Sequence, residues 1–185
     1  MNYAPIRSMD ISNGEGIGVS LFVQGCDFHC KNCFNSETWE FSKGQEWNDK
    51  TKNQFLKLIE TPFIQRVSIL GGEPLHPQNV QNVLKIVDEI RVSYPTKNIW
   101  LYTGYTWEEI WIKDNIKTGD KITDMRGKAI KNLRRQVVRM CDVLIDGRYV
   151  DQLRDVSLHW RGSSNQRVIN VQETLKQNQI VLWES

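Results

Sequence analysis

Residues 19–35 read Val-Ser-Leu-Phe-Val-Gln-Gly-Cys-Asp-Phe-His-Cys-Lys-Asn-Cys-Phe-Asn. The first five, apolar and partly β-branched, predict a buried strand that ends at Gln24-Gly25 and hands over to a loop. That loop holds Cys26, Cys30 and Cys33, three of the chain's four cysteines, at a C-x3-C-x2-C spacing that lets their thiolates surround a single centre. Metal is the expectation. A closed zinc site or an ordinary four-iron cluster takes four protein ligands, and no fourth cysteine stands at matching spacing. A cluster held by three thiolates leaves one iron bare, and an open coordination position is where a metal site does chemistry.

Blander readings exist. A structural zinc knuckle could add His29 to the three thiolates, although His29 directly precedes Cys30 and adjacent side chains do not easily reach one ion. A disulfide framework disagrees with the odd cysteine cluster, and the two-cluster ferredoxin pattern needs more cysteines. Cys141 opens an apolar run, 141–145, and reads as a buried small hydrophobe.

The length of 185 residues suits one domain, 1–185, with one sizeable core. A complete eightfold βα barrel takes about 250 residues and would be cramped. The net charge is +2, with no basic run of the kind that tracks a phosphate backbone, so no direct nucleic-acid partner is expected. Nor is a membrane expected. No apolar run approaches the ~20 residues of a span, the N-terminus lacks a signal-peptide core, and clustered free thiols suit a reducing compartment, so the protein is expected in the cytoplasm.

Along the chain, residues 1–13 offer only polar turn formers. Asn48 or Asp49 can cap a helix running to about residue 60, with Phe55, Leu56 and Ile59 inward. Residues 66–70 predict a second strand, and Gly71-Gly72-Glu73-Pro74 follow at its C-terminal end, where a turn is the plain reading. Val80, Val83, Leu84, Val87 and Ile90 form a helical stripe. Residues 98–102 predict a third strand, Thr106-Trp107-Glu108-Glu109 a capping box, residues 128–139 a helix, and 141–145 a strand ending at Asp146-Gly147. Strands alternating with helices predict a parallel α/β fold whose chemistry lies at the strands' C-terminal ends. Trp39, Phe41 and Trp47 read as packing, and His76 and His159 as isolated residues with no catalytic role.

With Gly14-Glu15-Gly16, Phe22, Cys33-Phe34-Asn35, Gly71-Gly72-Glu73-Pro74, Asp146-Gly147-Arg148-Tyr149 and residues 161–167, the chain resembles the radical S-adenosylmethionine enzymes. It is most similar to their glycyl-radical-activating branch, and there to the activators of anaerobic ribonucleoside-triphosphate reductase. The resemblance implies an incomplete (partial) βα barrel with a mostly parallel sheet, the cluster loop following the first barrel strand. It implies a [4Fe–4S] cluster on Cys26, Cys30 and Cys33, with S-adenosylmethionine chelating the fourth iron. Gly71, Gly72 and Glu73 would then lie against the methionine end, Asn32, Cys33 and Phe34 at the adenine, and Asp146 at the ribose or carboxylate. Asn32 stands where the wider superfamily often has an aromatic. The implied activity is reductive cleavage to a 5′-deoxyadenosyl radical and formation of a glycyl radical on the reductase's large subunit, the alternative being the same radical chemistry on another glycyl-radical enzyme or a small molecule. A flavodoxin-like donor is implied, and a homodimer is allowed. Residues 161–167 are expected to help dock the partner.

Overall fold

A computed structural model describes residues 1–111 and 121–183. In chain order it contains β1 (Asn2–Asp10), β2 (Gly18–Val23), β3 (Gln45–Glu46), α1 (Asp49–Ile59), β4 (Arg66–Gly71), α2 (Val80–Ser93), β5 (Asn98–Tyr102), α3 (Trp107–Trp111), α4 (Lys121–Arg139), β6 (Val143–Asp146), β7 (Arg167–Asn170) and α5 (Val171–Gln177). Local chemistry sets several boundaries. The Asn48 side chain accepts from the Thr51 amide at 3.1 Å to start α1. Before α3 the capping box closes both ways, Thr106 N donating to Glu109 at 2.8 Å and Glu109 N to Thr106 Oγ1 at 3.2 Å.

The seven strands form one sheet in the order β3-β1-β2-β4-β5-β6-β7. Its centre, β2-β4-β5-β6, is parallel, with Val19 opposite Val67, Val67 opposite Ile99, and Leu101 opposite Leu144. The flanking strands β1, β3 and β7 run antiparallel. Each parallel strand lies beside the one before it. The loops leaving β2, β4, β5 and β6 therefore emerge side by side along one rim.

Period-two alternation gives the sheet two different faces. Val19, Leu21, Val23, Val67, Ile69, Ile99, Leu101 and Leu144 join Phe55, Ile59, Val83, Val87, Ile90, Val137 and Val138 of the helices in the main core. The intervening residues face the other way. Trp100, Val143 and Ile145 form a smaller apolar group with Val168, against which Tyr102, Trp160 and Trp183 pack.

Residues 1–13 correct the sequence reading, since β1 occupies most of them. It flanks the sheet with mixed exposure, and a strand stabilised mainly by its backbone ladder to β2 needs no apolar run to announce it. Arg66 is a second surprise. Its side chain is fully buried, 3.5 Å from the Asp10 carboxylate, and donates to Glu15 O at 3.1 Å and Asp10 O at 2.7 Å. This pair fastens residues 10–15 across the sheet's second face, and a buried charge is tolerated there only because it is paired. Among the described residues no helix is long and apolar enough to cross a membrane.

Candidate metal centre and its cavity

The loop after β2 is shaped by backbone bonds before any ligand is considered. Gly25 N donates to Thr38 O at 2.7 Å, Cys26 N to Trp39 O at 2.9 Å, and Cys33 N to Cys30 O at 3.1 Å. These bonds turn Cys26, Cys30 and Cys33 into one cavity of about 570 Å³, which Phe22, Leu70, Tyr102 and Ile145 line from the sheet's second face. All three thiols are free, Cys26 buried and the others half-buried. Burial pushes the Cys26 thiol up to about 11, and burial followed by the neighbouring Cys33 raises Cys30. A cationic metal centre offsets that penalty, because metal binding releases the thiol protons. Among the described residues no group of three or more His, Cys, Asp or Glu side chains is already closed around a metal position. His29 stacks on Trp39, ring centres 4.7 Å apart, and is absent from the cavity wall. Three free thiols on one cavity wall are a donor set of the kind that takes an iron–sulfur cluster.

The loop after β4 is stitched to the loop after β2. Gly71 adopts φ +103°, and a Cβ on Gly72 would lie 2.5 Å from Gly25 O, so this crossing accepts only bare backbone. Gly72 N donates to Val23 O and Glu73 N to Gly25 O, both at 2.8 Å. The Asn79 amide, unremarked in the sequence, donates to Gln24 O and Glu73 O, both at 3.0 Å. Glu73 is buried. Its carboxylate accepts from Leu75 N at 2.8 Å, Thr103 Oγ1 at 2.7 Å and Gly104 N at 2.7 Å. Burial nevertheless pushes it up to about 7, against the pull of those hydrogen bonds.

Other expected site residues are placed differently. The Asn32 side chain donates to Asp151 at 2.8 Å, and Tyr149 OH donates to the other oxygen of the same carboxylate at 3.0 Å. That bond turns the Asn32 amide nitrogen toward Asp151. Phe34 lines the cavity beside Cys33, edge-on to Tyr149 with centres 5.2 Å apart. Asp146 lies on the other side of its strand from cavity-lining Ile145. Its carboxylate pairs with Arg167 and accepts from Trp107 N at 2.7 Å, while Gly147 and Arg148 reach the cavity in its place. Arg167 also makes two bonds to Glu108, at 3.0 and 2.8 Å, which hold the Glu108 carboxyl down to about 2. From residues 161–167 the cavity takes Arg161, Gly162 and Gln166.

His76 is not isolated. Its Nε2 lies 2.8 Å from Asp27 and its ring packs on Phe41 at 4.5 Å, another tether between the two loops. Sequence spacing held no signal for Asp151, Tyr149 or Asp27 as partners.

Comparison with known proteins follows the same lines. A family model described as a 4Fe-4S single cluster domain matches residues 12–169. The chain is 39% identical over 170 residues to the anaerobic ribonucleoside-triphosphate reductase-activating protein of Escherichia coli K12, covering 91% of this chain and 97% of that protein. The protein so named in Salmonella typhi is 36% identical over 170 residues, with the same coverage. That of Enterobacteria phage T4 is 35% identical over 168 residues, covering 91% of this chain and 93% of its own.

Proposed function

The chain belongs to the 4Fe-4S single cluster domain family and, within it, to the anaerobic ribonucleoside-triphosphate reductase-activating proteins, and from that premise we propose how its cavity works. It is an activating enzyme for anaerobic ribonucleoside-triphosphate reductase. Cys26, Cys30 and Cys33 would hold a [4Fe–4S] cluster, and the position that they leave open would receive S-adenosylmethionine. Bound and strongly reduced, the cluster would supply one electron for cleaving S-adenosylmethionine to methionine and a 5′-deoxyadenosyl radical, which would take hydrogen from a glycine of the reductase's large subunit.

The chain's own residues do the rest. Gly71 and Gly72 present bare backbone to the methionine end, and Glu73 adds a carboxylate nearby. The backbone of residues 32–34 and the Phe34 ring meet the adenine. Gly147 and Arg148 face the ribose or carboxylate, with Asp146 supporting them from behind. Phe22, Leu70, Tyr102 and Ile145 keep water from the reacting centre. The unreversed order of the four parallel strands supports a sheet curled as an incomplete βα barrel, working as one domain, 1–185. A flavodoxin-like donor, a homodimer and a cytoplasmic location complete the proposal.

One observation carries this reading: the three cysteines and the Gly71-Gly72-Glu73 loop line the same cavity. Anaerobically purified protein is reduced and mixed with S-adenosylmethionine and the reductase's large subunit, then examined by electron paramagnetic resonance. A glycyl radical is expected. Zinc in place of iron and sulfide, or no radical, would sink the reading.

A further inference from the structure

We propose that Arg134, outside the cavity on α4, is a positioning residue that grips both loops carrying Glu73's donors and, through the edge-on contact of Tyr105 with Phe28, sets the Cys26–Cys30 loop for S-adenosylmethionine. The inference rests on the reading above.

Arg134 Nε donates to Leu75 O at 2.8 Å, and Nη2 to Tyr105 OH at 2.6 Å. Its guanidinium carbon lies 3.8 Å from the centre of the Tyr105 ring. Leu75 and Tyr105 are the ends of the two loops that satisfy Glu73. Leu75 N donates to the carboxylate directly. Tyr105 follows Gly104, which donates through its amide, and Tyr105 N donates at 3.1 Å to Thr103 Oγ1, the third donor. One side chain therefore grips both segments that donate to the Glu73 carboxylate.

The same contact continues into the cysteine loop. The rings of Tyr105 and Phe28 meet edge-on, 4.9 Å apart, and Phe28 lies between Cys26 and Cys30. A Cβ on Gly104 would collide with the Phe28 ring, so the two loops touch directly. Phe28 also carries the Arg148 guanidinium at 4.5 Å, which Glu109 holds at 3.3 Å. Arg134, Tyr105, Phe28 and Arg148 thus form a row in which two rings lie between two cations, joining α4, the cysteine loop and the loop after β6. Only a planar fork can serve Leu75 O and Tyr105 OH together while lying on the ring, so lysine is a poor substitute.

The test uses the anaerobic holoenzyme and reads S-adenosylmethionine affinity from the change it causes in the reduced cluster's paramagnetic resonance spectrum. Arg134→Gln is expected to keep its iron and sulfide yet bind about tenfold more weakly, in the range lost when supporting shells of metal sites are removed, with an altered ligand-bound spectrum. Arg134→Lys should recover only part of the affinity. Tyr105→Phe, which keeps both ring contacts, should lose less than Arg134→Gln. Affinity within twofold of wild type and an unchanged spectrum in Arg134→Gln would overturn the inference. Should Arg134→Gln fail to load its cluster, Arg134→Lys decides by the same twofold criterion. A wild-type cluster indifferent to S-adenosylmethionine would sink the functional reading and this inference together, whereas equal responses in wild type and variant sink the inference alone.

Discussion

The amide of Glu73 donates to the carbonyl of Gly25 at 2.8 Å, so the loop leaving β4 is bonded to the loop leaving β2 at the residue before Cys26. Nothing else could sit at that crossing. Gly72→Ala would drive a Cβ to within 2.5 Å of Gly25 O, and both partners are backbone. We expect a loss of about 1–3 kcal/mol, the usual cost of overpacking, together with weakened S-adenosylmethionine binding. Urea unfolding and a binding titration measure the two effects.

Cysteine substitutions should separate cluster from core. Cys26→Ala, Cys30→Ala and Cys33→Ala are each expected to abolish iron and sulfide loading. Cys141→Ala should spare it, because Cys141 is fully buried and its Sγ donates to Val137 O at 3.2 Å. Metal and sulfide assays on anaerobically purified variants check this, and cluster loss in Cys141→Ala would refute the ligand set.

Asp146→Asn should affect stability more than ligand binding. The Asp146 side chain is 1% exposed and that of its partner Arg167 is 31% exposed. Breaking a fully buried pair costs about 3–5 kcal/mol, and partial exposure of the arginine brings the expected loss down to about 2 kcal/mol. Denaturant unfolding should show that loss, with S-adenosylmethionine affinity within twofold of wild type.

The Arg167–Glu108 contact carries a pH signature. Arg167 holds the Glu108 carboxyl at about 2, below its ordinary 4.5. Its stabilising contribution is thus complete above about pH 4.5 and is lost as pH falls toward 2. In cluster-free protein, the melting-temperature gap between wild type and Glu108→Gln should be largest at pH 5–7 and shrink by pH 3. A gap that widened in acid would contradict the assignment.

The sequence by itself determined the parallel α/β core and the metal loop. Residues 19–23, 66–70 and 98–102 are apolar runs dense enough to demand burial, and β2, β4 and β5 occupy them almost residue for residue. The clustered cysteines and the Thr106–Glu109 box were equally plain, because their partners lie within one short stretch. Only the tertiary structure decided what depends on strand order and on the side of a strand a residue takes. Strand β1 was hidden because its ladder to β2 is backbone chemistry that any sequence can make. Asp146 sits at a strand tip as expected, but alternation turns its carboxylate to Trp107 and Arg167. Asn32 meets Asp151, His76 meets Asp27, and Arg134 meets Leu75 and Tyr105. Those partners are separated by 119, 49, 59 and 29 residues, and residue spacing along a chain encodes the geometry of one helix or strand, not which strands become neighbours.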